Sequence, residues 1–591
     1  MILLTIIIGD TMRYVIDIET NGLLDDCDKV HCIVLKDVDD DCIIRVNVKK
    51  ALELMSEADV LIGHNIIKFD LPVLKKLFGF TTNAKLFDTL VATRLIWSDL
   101  MEGDMKRVHQ HGYPRALVNK HSLKAWGVRL GMPKKEIETD WSEFTQQMLD
   151  YCTQDVEITH KLWRRICGQP YSPFALELEQ KVAEIISKQE QYGVMFDKGK
   201  AISLYAELSL ERNTIKKQME ETFLPLKIEE EFIPKINNKT RGYVKGEPFI
   251  KVRYEDFNPS SRQNIAQRLM SKYGWKPTVF TNNGKPKVDD KILKGLAYPE
   301  AKILARYFLL EKRIGMLAEG KQAYLKVEKL GRIHGTVNTN SAITGRATHS
   351  SPNLGQVPAV SVPYGKRFRE LFTVPKGKVL VGVDIASLEL RLLGHYLAKY
   401  DKGEYANIVV NGDIHTENQK LAGLETRDIS KRFLYAWLYG AGIGKIAEVT
   451  GKSTREAAKV RQRFLNRLPA LAELTSQVQE SADFKGYLLG LDKRKVKVRN
   501  VFSSLNTLLQ SAGAIVCKQW LIEFDKAVQG IEGVQQLLWV HDEIQIECPE
   551  AKADKVGQLA VNAIAKAGKH LKLRLPLTGE YKISTDWSGT H

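Results

Sequence analysis

Two sets of carboxylates in this chain of 591 residues are spaced for metal chemistry. In the first set, Asp17 and Glu19 follow Tyr14, Val15 and Ile16, and strand alternation puts both acids on one face while Ile18 takes the other. Asp70 closes the run His64-Asn65-Ile66-Ile67-Lys68-Phe69-Asp70, and Tyr151 and Asp155 lie four residues apart, on one face of a helix. Four carboxylates and a phenol can therefore converge. Magnesium prefers oxygen ligands, and two such ions roughly 3.5–4 Å apart activate water and stabilise the leaving oxygen of a phosphodiester. The set reads as a hydrolytic centre acting on a strand end. Any one of these acids alone is more often a solvated surface group, and it is the ordered set that carries the reading.

In the second set, Asp384 ends the apolar run 379–383, and Asp542 sits in His541-Asp542-Glu543 between two apolar stretches, the pattern of a tight hairpin with acids at its tip. Two aspartates from separate strand ends can share a metal pair that lowers the pKa of a primer 3′ hydroxyl and neutralises a triphosphate, which implies nucleotidyl transfer. Between them, Arg427, Lys431, Tyr435 and Tyr439 recur every four residues and share a helix face. The cations suit phosphate oxygens and the rings suit stacking on a base pair; the alternative is an amphipathic helix with snorkelling cations. Thr344-Gly345-Arg346, residues 351–356 and residues 506–510 add further donors. Arg346, Gln356 and Gln510 suit the minor groove, where every correct pair presents acceptors, so pair geometry can be tested without reading sequence.

Elements that position these residues follow from periodicity. The first 165 or so residues alternate short β-type runs (14–18, 32–35, 60–63) with helical stretches, as α/β domains do. Residues 170–225 and 295–328 read as long amphipathic helices, marked by Leu176, Val182, Ile185 and Ile186 and by Ile303, Leu304, Phe308 and Leu309. Between them, residues 227–254 are polar and rich in Lys and Arg, an exposed basic loop or hairpin, and Asn258-Pro259-Ser260-Ser261 caps the next helix. Strands return near 379–383 and 536–548, on either side of a largely helical block from about 400 to 525.

Composition narrows the class of partner. Apolar residues at 44% and charged residues at 27% are ordinary for a folded domain and exclude disordered and fibrous classes. Lys and Arg outnumber Asp and Glu by 87 to 71, and a net charge of +16 fits a polyanionic partner, either nucleic acid or an acidic membrane surface. No apolar stretch approaches the ~20 residues of a bilayer span, and the run 2–8 lacks the basic flank and cleavage site of a leader. Seven scattered cysteines without a CxxC pair argue against disulfides and structural zinc and point to a reducing cytoplasm. The first eleven residues read as an extension or a misassigned start.

The stretches DIETNG, HNIIKFD and YCTQDVE resemble the three motifs of the DEDDy proofreading exonucleases. That resemblance implies Asp17, Glu19, Asp70 and Asp155 as metal ligands and Tyr151 as the phenol that orients water. VGVDIASLELR, RDISKRFLYAWLYG and VHDEI resemble motifs A, B and C of the family A DNA polymerases. With TGRATHSSPNLGQVP and GDIHTENQ, the resemblance covers nearly the whole chain; LNTLLQSAGA, SLKAWG and residues 587–591 are similar to the replicative branch of the short-tailed bacteriophages, the T-seven type.

The resemblance implies an α/β and α+β multidomain protein. An RNase H-like 3′–5′ exonuclease domain (1–168) would precede a right hand of thumb (169–328, with a shortened basic loop at 224–256), palm (329–398 and 506–591) and fingers (399–505). Asp384 and Asp542 would ligate metal, and His415, Arg427, Lys431 and Tyr435 would hold the nucleotide, with Glu389 as the ribose gate. Arg346, Gln356, Tyr439, Asn506, Gln510 and His541 would touch DNA. Two Mg2+ ions would serve each centre, with Mn2+ able to substitute. The implied partners are primer–template DNA, dNTPs, a helicase-primase and a single-strand binding protein, in the host cytoplasm, and no membrane. Two rivals remain: a repair or organellar enzyme of the same family, and a nuclease whose second half only grips DNA, which intact Asp384 and Asp542 oppose.

Departures and decoys complete the reading. The phage branch recruits host thioredoxin through a large thumb loop, but only about 33 residues separate Phe223 from Phe257, so a thioredoxin clamp is not expected and the basic segment 235–253 is expected to contact DNA backbone itself. Bacterial repair relatives often carry a 5′ nuclease domain ahead of the proofreading domain; none is expected here, so flap removal falls to another protein. Residues 450–454 imitate a P-loop, yet Ile446 stands where its first glycine belongs, and the segment reads as a helix-start turn. His109, His111 and His121 lack the spacing of a metal site. Tyr435, rather than Phe, predicts ready incorporation of dideoxynucleotides.

Overall fold

The computed structural model describes residues 11–590, so the run 2–8, the leading ten residues and His591 fall outside the described residues. Strand β1 (Arg13–Thr20) follows the predicted alternation: Ile16 and Ile18 enter one core with Ile33 and Leu61, while Val15 enters the core on the other side with Val34 and Ile62. Both faces being covered, β1 is central in a five-stranded sheet with β2 (Val30–Asp37), β3 (Ile43–Arg45), β4 (Val60–Gly63) and β5 (Lys85–Asp88), in the order β3-β2-β1-β4-β5. β2 runs antiparallel to β1, while β4 and β5 continue parallel to it. The C-terminal ends of β1, β4 and β5 therefore share one edge, the edge where open α/β sheets present their loops to ligands. Helices α1 (Asp70–Phe78) and α2 (Thr89–Ile96) start from that edge. Helix α3 (Gln146–Cys167) packs on β1 and β2, burying Cys152, Val156, Leu162 and Ile166.

Two compact units make up the chain: the first comprises the residues up to Val194, His334–Arg369 and those from Thr373 onward, and the second Met195–Ile333 with Glu370–Phe372. This division departs from the sequence-based thumb at 169–328. Helix α4 (Pro173–Tyr192) belongs to the first unit, because Leu178, Val182, Ile185 and Ile186 recur at helical spacing and enter one core with Val381 and Trp520.

The rest of the first unit is built on a second sheet. Ahead of it, β6 (Thr336–Asn338) and β7 (Thr348–Ser350) pair as a separate two-stranded sheet, and the second sheet begins with β8 (Lys378–Ile385), which leads to α5 (Leu388–Leu397). Helix α6 (Arg427–Leu438) lies within the helical block, and α7 (Ser504–Val528) is buried along most of its 25 residues. Strands β9 (Gln535–Val540) and β10 (Glu543–Pro549) form the predicted hairpin, followed by α8 (Ala553–His570) and β11 (Gly579–Ser584). The sheet order is β9-β10-β8-β11, all antiparallel. The decoy at 450–454 is a helix end and a helix start: Gly451 takes a left-handed conformation and Ser453 caps the helix Thr454–Arg467 with a capping box.

The second unit pairs helix Lys198–Thr222 with helix Pro299–Ile314, joined by Arg306 donating to both carboxylate oxygens of Glu211 at 2.7 and 3.1 Å. Residues 226–255, expected as a loop or hairpin, form an antiparallel hairpin of strands Leu226–Phe232 and Phe249–Glu255. Phe232, Tyr243 and Phe249 cluster edge to face, and the tip presents exposed Lys235, Lys239, Arg241 and Lys245. Among the described residues no helix is long and apolar enough to cross a membrane.

Candidate active sites

The first carboxylate set assembles at the shared strand edge. Ligand atoms of Asp17, Glu19 and Cys152 lie within 4.8 Å of one another, Asp70 opens helix α1, and Asp155 reaches in from α3. Cys152 is a support rather than a ligand: burial holds its thiol protonated, and its Sγ donates to the Asp17 carbonyl at 3.3 Å. Burial raises every acid, and like charge adds to it at Asp17, Glu19 and Asp70. Asp17 is pushed well up by burial and then by the charges of Asp155 and Asp70. Burial, then Asp155, carries Glu19 to about 8, and burial carries Asp70 to about 7. Asp155 is raised by burial, and its Oδ1 is buried without a hydrogen-bond partner. All-oxygen donors, crowded like charges and an orphaned carboxylate oxygen together fit a divalent cation.

Lys134, which no motif marked, supplies positive charge to this cluster. Its Nζ pairs with Asp155 and sits 4.1 Å from the centre of the Tyr151 ring, while Trp141 packs edge-on to Tyr151 at 6.3 Å. Asp88 was also missed: its carboxylate accepts the backbone N–H groups of Asn65, Leu90 and Val91, fixing the turn that leads to Asp70. Lys68 ties that turn to α4 and β6, donating to Glu190 at 2.6 Å and to the Val337 carbonyl at 2.7 Å. Lys134 and Asp88 are joined to the site by tertiary contact alone, so no local spacing could reveal them; Lys68 lies within the run 64–70, but its partners are 122 and 269 residues away.

The second set forms at the open end of the second sheet. Val540 pairs with Glu543, which leaves His541 and Asp542 as a two-residue hairpin tip, His541 at φ +58°. Asp384 lies opposite Glu543 in the register, and the Ile385 N–H donates to the Asp542 carbonyl at 3.1 Å, so the two aspartates are neighbours. Burial first, then the charge of Asp542, pushes Asp384 up to about 7; burial, then Glu389, raises Asp542. Strand alternation turns Glu543 the other way, where it accepts from Trp587 Nε1 at 2.6 Å and from Gln545 Nε2. Of the three polar tip residues it alone is committed to the interior.

A cavity of about 360 Å³ opens beside this pair, lined by Arg346, Glu389, Tyr439, Cys517, His541 and Asp542. Tyr439 follows the end of α6, and Arg346 Nη2 lies 3.8 Å from Glu389. Along α6, Tyr435 is raised by burial and then by the charges of Glu389 and Asp542, which places the predicted face toward the cleft. The ring of His415 is 6.3 Å from that of Tyr435, and its Nδ1 is buried without a partner. Arg427 is already engaged, donating to Asp413 at 2.8 and 3.2 Å, while Lys431 stays exposed. Asn506 donates to the Leu438 carbonyl at 2.7 Å and accepts from Gln510 at 2.8 Å, locking α7 to the end of α6. Gln356 is exposed on a turn (Leu354–Gln356) and does not line the cavity.

The chain is similar to known proteins over most of its length. The profile of DNA polymerase family A matches residues 232–589. The chain is 35% identical to the DNA-directed DNA polymerase of Enterobacteria phage T3 and 34% identical to that of Escherichia phage T7, in each case over 97% of this chain and 99% of the relative. Both alignments run over 702 positions, 111 more than the 591 residues here, so these relatives carry segments this chain lacks. Among solved structures, the POL domain of Pol1 from M. smegmatis, in complex with DNA primer-template and dNTP, has the same fold, with a TM-score of 0.75 at 18% identity over 99% of this chain and 97% of that one. The chain belongs to DNA polymerase family A and is a DNA-directed DNA polymerase.

Proposed function

We propose that this polymerase carries a second, independent activity, 3′–5′ hydrolysis of DNA at the Asp17, Glu19, Asp70 and Asp155 cluster, and that it copies a phage genome in the host cytoplasm. The observation that carries the nuclease reading is four clustered carboxylates, each with a raised pKa, with Tyr151 beside them and one orphaned oxygen on Asp155. Such a cluster is stable at neutral pH only with protons or cations among the acids.

The two centres divide the residues into roles. Asp384 and Asp542 would hold a pair of Mg2+ ions at the synthetic centre, and Asp17, Glu19, Asp70 and Asp155 a pair at the hydrolytic one, with Mn2+ able to substitute. When bound, these ions lower the pKa of the attacking oxygen and neutralise charge on the leaving one. Arg427, Lys431 and His415 bind the triphosphate, for which Arg427 must leave Asp413. Tyr435 and Tyr439 support the nascent pair, Glu389 senses the sugar, and Arg346, Gln356, Asn506, Gln510 and His541 line the primer–template path. Tyr151 orients the attacking water, and Lys134 stabilises negative charge beside Asp155.

At a coarser scale, we assign the described part of 1–168 to the nuclease, 329–398 and 506–590 to the palm, 399–505 to the fingers and residues 195–328 of the second unit to the thumb. Its basic hairpin tip would contact DNA backbone in place of a thioredoxin clamp. A helicase-primase and a single-strand binding protein are the expected replication partners.

The test is extension of a labelled primer with magnesium, with and without dNTPs, by wild type, Asp542→Ala and the double variant Asp17→Ala with Glu19→Ala. We expect Asp542→Ala to degrade without extending and the double variant to extend without degrading. Degradation that survives in the double variant would overturn the assignment of the first cluster.

A further inference from the structure

Two phenylalanines that no motif marked stand in solvent near the polymerase cleft: Phe502 is 85% exposed and Phe484 is 89% exposed. Phe502 is held there by its own turn, Val501–Ser503, which leads into α7. The Asn500 Oδ1 accepts the Phe502 N–H at 2.9 Å, Ser503 Oγ donates to the Asn500 carbonyl at 2.8 Å, and Ser504 Oγ donates to the Val501 carbonyl at 2.6 Å. Phe484 lies in the last turn of the helix Pro469–Lys485. From that helix the chain runs out as an antiparallel hairpin of strands Tyr487–Leu489 and Lys495–Lys497. The Val498 N–H then donates to the Gly486 carbonyl at 3.1 Å, so the chain is back at the helix end before it reaches Phe502, and helix and turn pack together. Large apolar rings fixed in water at one edge of a cleft mark a contact surface.

Position and charge say what the rings meet. Asn506, in the first turn of α7, donates to the Leu438 carbonyl, and a Cβ on Gly440 would stand 4.0 Å from the Cβ of Ser503. Phe502 is therefore the neighbour of a residue that lies against the chain just past Tyr439, and Tyr439 lines the cavity beside Asp542. From 484 to 503 the chain carries six Lys and Arg residues against one acid, Asp492, which is buried in its pair with Arg494. Asp99 takes up Lys497 and Arg499, while Lys485, Lys493 and Lys495 stay exposed. A polyanion whose flat faces stack on a phenyl ring is nucleic acid. The part of it that reaches this edge is the template ahead of the nascent pair, a placement that rests on the pair lying over Tyr435 and Tyr439 as proposed above.

Where the template ahead is already paired, that pair must open before the next base can enter. Opening one step loses stacking of a size that stacking on an aromatic ring restores. We propose that Phe502, with Phe484, is a wedge on which the base pair ahead of the template position is split, so that this polymerase displaces a downstream strand without a helicase. The Phe502 ring takes the place of the base lost from the stack, and Lys485, Lys493 and Lys495 meet the phosphates of a parted strand.

The experiment follows extension of a labelled primer by the full chain carrying Asp17→Ala and Glu19→Ala, so that hydrolysis at the fork does not mask displacement. If those acids do not hydrolyse DNA, this parent behaves as wild type and the measurement stands. One template is open ahead of the primer, and the other is covered by a second strand after a short gap. The parent should pass the covered stretch. Phe502→Ala should slow that passage about 5–10-fold and Phe484→Ala about 2–4-fold, as expected for loss of a stacked base, while extension on the open template changes less than about twofold. Phe502→Trp should restore passage, and Tm should not move in any of the three. A parent that stops at the covered strand, or Phe502→Ala that passes it as fast as the parent, overturns the proposal and leaves these rings to a protein partner. An equal loss on open and covered templates also overturns it, by making Phe502 a general template contact. Tyr439→Ala should slow synthesis on both templates alike; unaltered synthesis would overturn the placement of the nascent pair, and the wedge with it.

Discussion

Tyr439 donates its hydroxyl to Glu389 Oε1 at 3.0 Å, joining the residue just past helix α6 to the first turn of α5 beside the paired aspartates. Burial, followed by the Glu389 charge, lifts the Tyr439 hydroxyl to about 12, so it remains a donor across the working range. Tyr439→Phe should leave Glu389 free to swing. We expect discrimination between dNTP and rNTP, as a ratio of kcat/KM, to fall by up to about tenfold, or about 1.4 kcal/mol, with a larger fall in Glu389→Ala. Unchanged discrimination in both variants would remove Glu389 from the role of ribose gate.

Asp413 holds Arg427 and also caps the helix Ile414–Ala422, its carboxylate accepting the backbone N–H groups of His415 and Thr416. Asp413→Asn keeps a good capping side chain while removing the charge that competes with a triphosphate. An exposed ion pair is weak, so the KM for dNTP should fall by only about 1.5–5-fold with kcat little changed. Steady-state incorporation of a single nucleotide reads this directly; a rise in KM would mean that the pair positions Arg427 for binding.

The raised acids make stability depend on pH and metal. Asp70 and Asp384 titrate at about 7 and Glu19 at about 8 in the folded chain, against roughly 4 in the unfolded one. A carboxyl with a raised folded pKa keeps its contribution below the unfolded value and loses it as pH rises through the folded value. In EDTA, Tm should therefore fall between about pH 4 and 8, and magnesium at pH 8 should raise it again. The double variant Asp17→Asn with Glu19→Gln should show a shallower fall in differential scanning fluorimetry; equal slopes would show that these acids do not repel one another in the folded state.

Lys518 lies fully buried on α7, donating to Glu179 and, at 2.7 Å, to the Gly345 carbonyl. Arg494 completes a neutral quartet by pairing with Glu179 at 2.7 Å and Asp492 at 2.6 Å. Lys518→Met strands Glu179 with one cation and unties the loop that carries Arg346. The cost should be about 3–5 kcal/mol, read as a lower Tm, whereas a loss under 1 kcal/mol would mean that the quartet contributes little.

The local elements of both carboxylate sets are legible in the sequence. Alternation in 13–20 and the four-residue spacing of Tyr151 and Asp155 each specify a face, because strand and helix periods follow from backbone geometry. The same holds for the polar break at 541–543, which reads as a hairpin, and for Arg427, Lys431 and Tyr435 along α6. Tertiary structure decided what those faces meet. Lys134 comes to Asp155 across 21 residues, Tyr439 to Glu389 across 50, and Lys518 to Glu179 across 339. It also sent Glu543 inward and drew α4 into the first unit. A period states which way a side chain points but not which chain segment lies there; that depends on how the buried faces pack, a property of the whole chain.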